Sequence, residues 1–123
     1  MSRSLDDLDP EIRPLVDKFL AKLVDLRLFV MIIDTLRTEE EQAANVKAGV
    51  SWTMKSKHLP HPPSGKSRAI DICPVFAYTM YGANKLQWDG RDPSWEKIGK
   101  IGEALGFTWG GRWKQKDLGH FEI

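Results

Sequence analysis

Apolar residues recur at Leu15, Phe19, Leu23 and Leu26 in steps of three and four, the spacing of a single apolar helix stripe. A helix is therefore expected over roughly 11–26. Asp9-Pro10 can open it, because proline costs little in a first turn whose N–H groups lack partners. Pro14 disturbs that start and moves the expected first turn a few residues on. Leu28 to Ile33 is apolar at every position, which predicts a central strand covered on both faces. Thr38 and Glu41 form a capping box, and the helix they open runs to about Ala48, where Gly49 can end it. Residues 50–65 show no period, and the prolines there prevent regular structure. Ala69 to Cys73 then alternates as a strand that Pro74 stops.

Residues 75–91, with Tyr81-Gly82-Ala83-Asn84 and Asp89-Gly90, read as a long connection, and loops of that length in a compact domain are often functional. Asp92-Pro93 opens a third helix with cap and proline in the preferred order. Trp95, Ile98, Gly102 and Leu105 line one face, and Gly106 closes it. The end of the chain, from Trp109-Gly110-Gly111 to Ile123, reads as a turn-rich approach to a last strand. Few strands, about three helices and no βαβ rhythm predict an α+β domain.

Bulk composition narrows the function by exclusion. At 123 residues, a single domain is expected to fill the chain, with no separate module. A net charge of +1 with scattered basic residues gives no reason to bind nucleic acid. One cysteine, Cys73, excludes an internal disulfide and a Cys-rich metal site. No apolar run is long enough to span a bilayer, and the first residues lack the apolar core of a secretory signal, so synthesis in the cytoplasm is expected.

Chemistry concentrates between Ser56 and Asp71 and again between Asp117 and Glu122. In a strand, side chains alternate between faces. Asp71 therefore opposes Ile70 and Ile72, and His120 and Glu122 oppose Phe121 and Ile123. If both strands share one sheet over one core, Asp71 and His120 emerge on the same polar side, and His58 can complete a set of three. Three N/O ligands with an open position are what a catalytic zinc ion needs, and the metal lowers the pKa of a water there. Asp117 lies three residues before His120, within reach of that water if the segment turns. Taken alone, each histidine also reads as a surface or hydrogen-bonded core residue. Spacing alone leaves the two readings side by side.

These residues carry a family resemblance. Ser56-x-His58, Ala69-x-Asp71 and Asp117-x-x-His120-Phe121-Glu122 resemble the zinc peptidases of the D-alanyl-D-alanine carboxypeptidase and L-alanyl-D-glutamate endopeptidase group. The phage endolysin branch is similar in size. The Arg37-Thr38-x-x-x-Gln42 segment and Trp109-Gly110-Gly111-x-Trp113 extend the resemblance over roughly 35–123. It implies a small antiparallel sheet with about three helices, of the Hedgehog and D,D-peptidase type. It makes His58, Asp71 and His120 the ligands of one zinc ion per chain, Asp117 the general base, and Arg37 the holder of substrate and oxyanion. The alternative for Arg37 is a surface salt bridge with Glu39–Glu41. Ser56 would orient the ligand loop or touch substrate, with an ordinary loop serine as the alternative. Glu122, on the same face as His120, reads as a partner steering a ligand histidine or as a rival base, and Trp113 as a ligand contact. The commoner family pattern is His-x-x-Gly-x-Ala-x-Asp, whereas twelve residues separate His58 from Asp71 here. The Pro60–Gly65 stretch reads as an insert, and His61 as a rival ligand.

The implied activity is hydrolysis of a stem-peptide bond of bacterial peptidoglycan, the L-alanyl-D-glutamate bond foremost. The alternatives are a D-alanyl-D-alanine carboxypeptidase or dipeptidase, and a non-catalytic zinc-binding wall-recognition module. The expected setting is an endolysin-like monomer that reaches the wall after holin-type release. Cys73 is expected to be a buried inert thiol. Trp52, Trp95 and Trp109 are expected to pack in the core or groove wall, leaving Trp88 and Trp113 for ligand contact.

Overall fold

The computed structural model describes residues 2–49, 55–75 and 86–123. The connection expected at 75–91 lies mostly outside these residues, as does Trp52. Among the described residues are three α-helices, α1 (Arg13–Asp25), α2 (Glu39–Lys47) and α3 (Pro93–Ala104), and four strands, β1 (Val30–Asp34), β2 (Ala69–Pro74), β3 (Thr108–Trp109) and β4 (His120–Glu122). The strands form one antiparallel sheet in the order β1-β2-β4-β3. The architecture is α+β, as the element pattern predicts.

Helix starts follow the expected local chemistry, with one correction. Thr38 caps α2, and the reciprocal bond from Glu41 completes the capping box. Asp92 caps α3 through Ser94 N–H, with Pro93 in the first turn. Pro14, expected to disturb α1, sits within its first turn, where a missing N–H removes no intrahelical bond. Leu26 falls just past the end of α1 and is 49% exposed, so the buried stripe is Val16, Phe19 and Leu23.

The second correction concerns β1, which is an edge strand rather than a central one. Leu28, Val30 and Ile32 pack on the core, while Phe29 and Met31 are 45% and 42% exposed. The strand does alternate in and out. Apolar residues on its outer side hid that period from the sequence.

The core lies between one face of the sheet and helices α1 and α3. Ile70, Ile72 and Phe121 face Phe19, Leu23 and Ile98 there. Phe121 is fully buried, with its ring centroid 4.8 Å from that of Phe19. Burying a side chain of this size contributes about 2–3 kcal/mol. Gly102 permits the close approach of α3: a Cβ there would stand 2.5 Å from the Phe121 ring. With Phe121 packed inward, the next residue back along β4, His120, leaves by the other face.

Candidate metal centre

Asp71 and His120 are direct partners in the β2–β4 ladder. Partners across an antiparallel pair project from the same side of the sheet, here the side opposite Ile70 and Phe121. His120 Nδ1 lies 2.9 Å from Asp71 Oδ1. His58 arrives from the loop before β2 and sets its Nε2 3.1 Å from the same oxygen. The two imidazoles meet edge to face with centroids 5.1 Å apart. One possible ligand atom from each of His58, Asp71 and His120 lies within 4.8 Å of the others, and among the described residues this is the group that could hold a metal ion.

Three bonds fix His58. Its N–H donates to Ser56 Oγ at 3.1 Å, its carbonyl accepts from Arg37 N–H at 2.9 Å, and its Nδ1 lies 2.6 Å from the Thr35 carbonyl. A carbonyl can only accept, so Nδ1 carries a proton. That leaves Nε2 buried and, among the described residues, without a hydrogen-bond partner, facing a carboxylate oxygen. A lone pair and a carboxylate at that separation call for a cation or a proton between them. His120 is oriented likewise, with Nε2 2.7 Å from Glu122 Oε1, which turns Nδ1 toward Asp71. Two imidazoles, each held through its other ring nitrogen, and a carboxylate fit a borderline divalent metal.

Electrostatics follow from this convergence. Burial raises the Asp71 pKa, but the charge of His58 and the hydrogen bond and charge of His120 outweigh it and hold the carboxyl well below its usual range. Burial lowers the His120 pKa, yet hydrogen bonds to Asp71 and Glu122, with the charges of Asp71 and Asp117, raise it to about 9. Asp117 is exposed at the rim. Desolvation by its surroundings and the like charge of Asp71 push its pKa up, against the opposing pull of His120, His58 and Arg37.

The turn expected before His120 is present. Asp117 N–H bonds the Gly110 carbonyl at 2.9 Å, and His120 N–H bonds the Asp117 carbonyl at 3.2 Å. Gly110 makes this possible, because a Cβ there would lie 2.4 Å from the Asp117 carbonyl oxygen. Trp113 follows the same turn and sets its ring 5.0 Å from His120.

Arg37 does not pair with Glu39–Glu41. It is buried, and its guanidinium bonds Asp34 and Gln42, with one nitrogen 3.8 Å from Asp71 Oδ2. Asp34 was missed in the sequence. The signal for it was a lone carboxylate closing an apolar strand, three residues before the arginine. Thr35 was missed too, since it acts through its carbonyl, which no side-chain pattern reveals.

His61 stays outside the cluster, half-buried, with Nδ1 2.9 Å from the Leu59 carbonyl. Cys73 is buried and also outside it, its thiol pushed up to about 11 by burial. Trp95 and Trp109 are buried, and Trp88 is 60% exposed. Among the described residues, no helix is long and apolar enough to cross a membrane.

Comparison with known proteins agrees with this geometry. The chain resembles an L-alanyl-D-glutamate peptidase of Listeria phage A118, 36% identical over 85 residues. That alignment takes in 68% of this chain, which spans about a quarter (26%) of the relative. The fold matches a solved Serratia marcescens L-Ala D-Glu endopeptidase at a TM-score of 0.67 and 24% identity, over 99% of this chain and 86% of that one. A family model described as D-alanyl-D-alanine carboxypeptidase matches residues 51–123, which hold the three clustered side chains, and the chain belongs to that peptidase family.

Proposed function

We propose that the chain is a zinc-dependent peptidoglycan peptidase that hydrolyses a stem-peptide bond, the L-alanyl-D-glutamate bond foremost. The observation that carries this reading is the buried, unpartnered Nε2 of His58 converging with Asp71 and His120. The activity named for the phage relative supports the choice of bond.

His58, Asp71 and His120 hold the zinc, and Ser56, Thr35 and Glu122 hold the histidines in the required orientation. Zinc bound there supplies Lewis acidity toward the scissile carbonyl and lowers the pKa of a water. Asp117, with its raised pKa, takes the proton of the attacking water and delivers it to the leaving amine. Arg37 presents a fixed guanidinium to the oxygen on which negative charge develops. Trp113 forms a wall beside His120. The phage relative favours an endolysin role, with the protein meeting the wall once the membrane has been breached.

Digestion of purified sacculi tests the reading. New glutamate amine termini, released only by zinc-loaded protein, are expected. Free D-alanine instead would select a D-alanyl-D-alanine carboxypeptidase, the reading that the description of the family model favours. No new termini of either kind, despite one bound zinc per chain, would leave a non-catalytic wall-recognition module.

A further inference from the structure

β1 does not enter the site in simple register. Val30, Met31 and Ile32 pair with Pro74, Cys73 and Ile72, and the ladder then shifts so that Asp34 stands opposite Asp71. Continued pairing would have put Ile33 there. A bulge of this kind re-aims a side chain, and it brings two carboxylates face to face. Like charges directly across a ladder are destabilising unless a cation lies between them.

Arg37 is that cation, but it is shared unequally. Its Nε donates to Asp34 Oδ2 at 2.9 Å, and its Nη2 bonds the same oxygen. From Asp71 Oδ2 that Nη2 stands 3.8 Å away, beyond a hydrogen bond. The Nη1 group goes to Gln42. Asp34 is 1% exposed, and its Oδ1 has no hydrogen-bond partner among the described residues. A buried carboxylate with an unbonded oxygen is costly, and a neutral amide, as Gln42 shows, can also bond the guanidinium. The negative charge of Asp34 therefore calls for a use beyond packing.

We infer that Asp34 is a positioning residue whose charge ties up Arg37, keeping the guanidinium from pairing with Asp71 and leaving that carboxylate to the metal. This rests on the reading of His58, Asp71 and His120 as a metal site. Arg37 and the metal are rivals for Asp71, and Asp34 decides the contest. Without it, the nearest anion for Arg37 is the Asp71 carboxylate.

Zinc affinity, measured by competition with a chromophoric chelator, tests the idea in Asp34→Asn, Arg37→Gln and the double variant. Circular dichroism of each metal-free protein checks folding. Asp34→Asn is expected to weaken zinc binding about 10- to 100-fold, the usual cost of losing a group behind a ligand. Adding Arg37→Gln should return affinity to the wild-type range, because the rival cation is gone. A purely structural Asp34 would leave the double variant as weak as the single one, and that result overturns the inference. So does an Asp34→Asn protein that binds zinc as the wild type does. Should Asp34→Asn fail to fold, the double variant decides alone, since it replaces a buried ion pair by two neutral amides. Affinity in the wild-type range then supports the inference, and weakened affinity overturns it. Wild-type protein that takes up no zinc would instead overturn the metal reading, and this inference with it.

Discussion

Metal uptake should release a proton, because His120 holds one in the metal-free protein. Its pKa stands at about 9, raised by Asp71, Glu122 and Asp117 against the effect of burial. A metal needs the Nδ1 lone pair, so binding at pH 7 must first remove a proton held about two pH units too tightly. That costs about 3 kcal/mol, or about 100-fold in apparent affinity. Log affinity should therefore climb with a slope of about one from pH 7 and level off above pH 9. The stability of the metal-free protein should move the opposite way. A histidine whose folded pKa exceeds its unfolded value of 6.5 contributes stability below pH 6.5 and loses it as pH rises through about 9. Chelator-buffered zinc titrations at pH 7, 8 and 9 measure the slope. Calorimetry in buffers of different protonation enthalpy counts the proton, with about one expected near pH 7. Replacing Glu122 by Gln removes one of the raising contacts and should flatten the slope. Affinity that is level from pH 7 to 9, with no proton released, would refute the reasoning.

Three further outcomes are expected. His58→Ala should lose zinc as measured by elemental analysis, whereas His61→Ala should retain it, since His61 lies outside the cluster; the reverse pattern would move the ligand into the Pro-rich loop. Asp117→Asn should lower turnover on sacculi by at least about 100-fold while zinc content stays at the wild-type level. Gly102→Ala should cost about 1–3 kcal/mol in urea unfolding, because its Cβ would meet Phe121 at 2.5 Å and Phe19 at 3.2 Å, with zinc stoichiometry unchanged.

How much of the site could be read from the chain depends on the range of the interaction that placed each residue. Asp71 and His120 were legible because strand alternation is local and strict. Once Ile70 and Phe121 are assigned to the core, their neighbours have one direction left, and the β2–β4 register makes them partners. The capping box at Thr38 and the start of α3 at Asp92 were legible for the same reason, since each is settled within a few residues. His58 follows no period. Its position depends on Thr35, twenty-three residues away; the loop before β2 only allowed it to complete the set, and the family resemblance singled it out over His61.

β1 shows where local reading fails. Its unbroken apolar run signalled burial on both sides, yet an edge strand can carry Phe29 and Met31 outward without penalty if its inner face is satisfied. The same run gave no hint of the bulge, because a bulge is a relation between two strands and leaves no mark on one of them. That one-residue shift removes Ile33 from the position opposite Asp71 and puts a carboxylate there. The arginine three residues later then has two anions to choose between, and its distances show that it has chosen Asp34. Local patterns thus pointed to Asp71 and His120 within the group that could hold a metal ion. The long-range register decides whether Asp71 is free to do so.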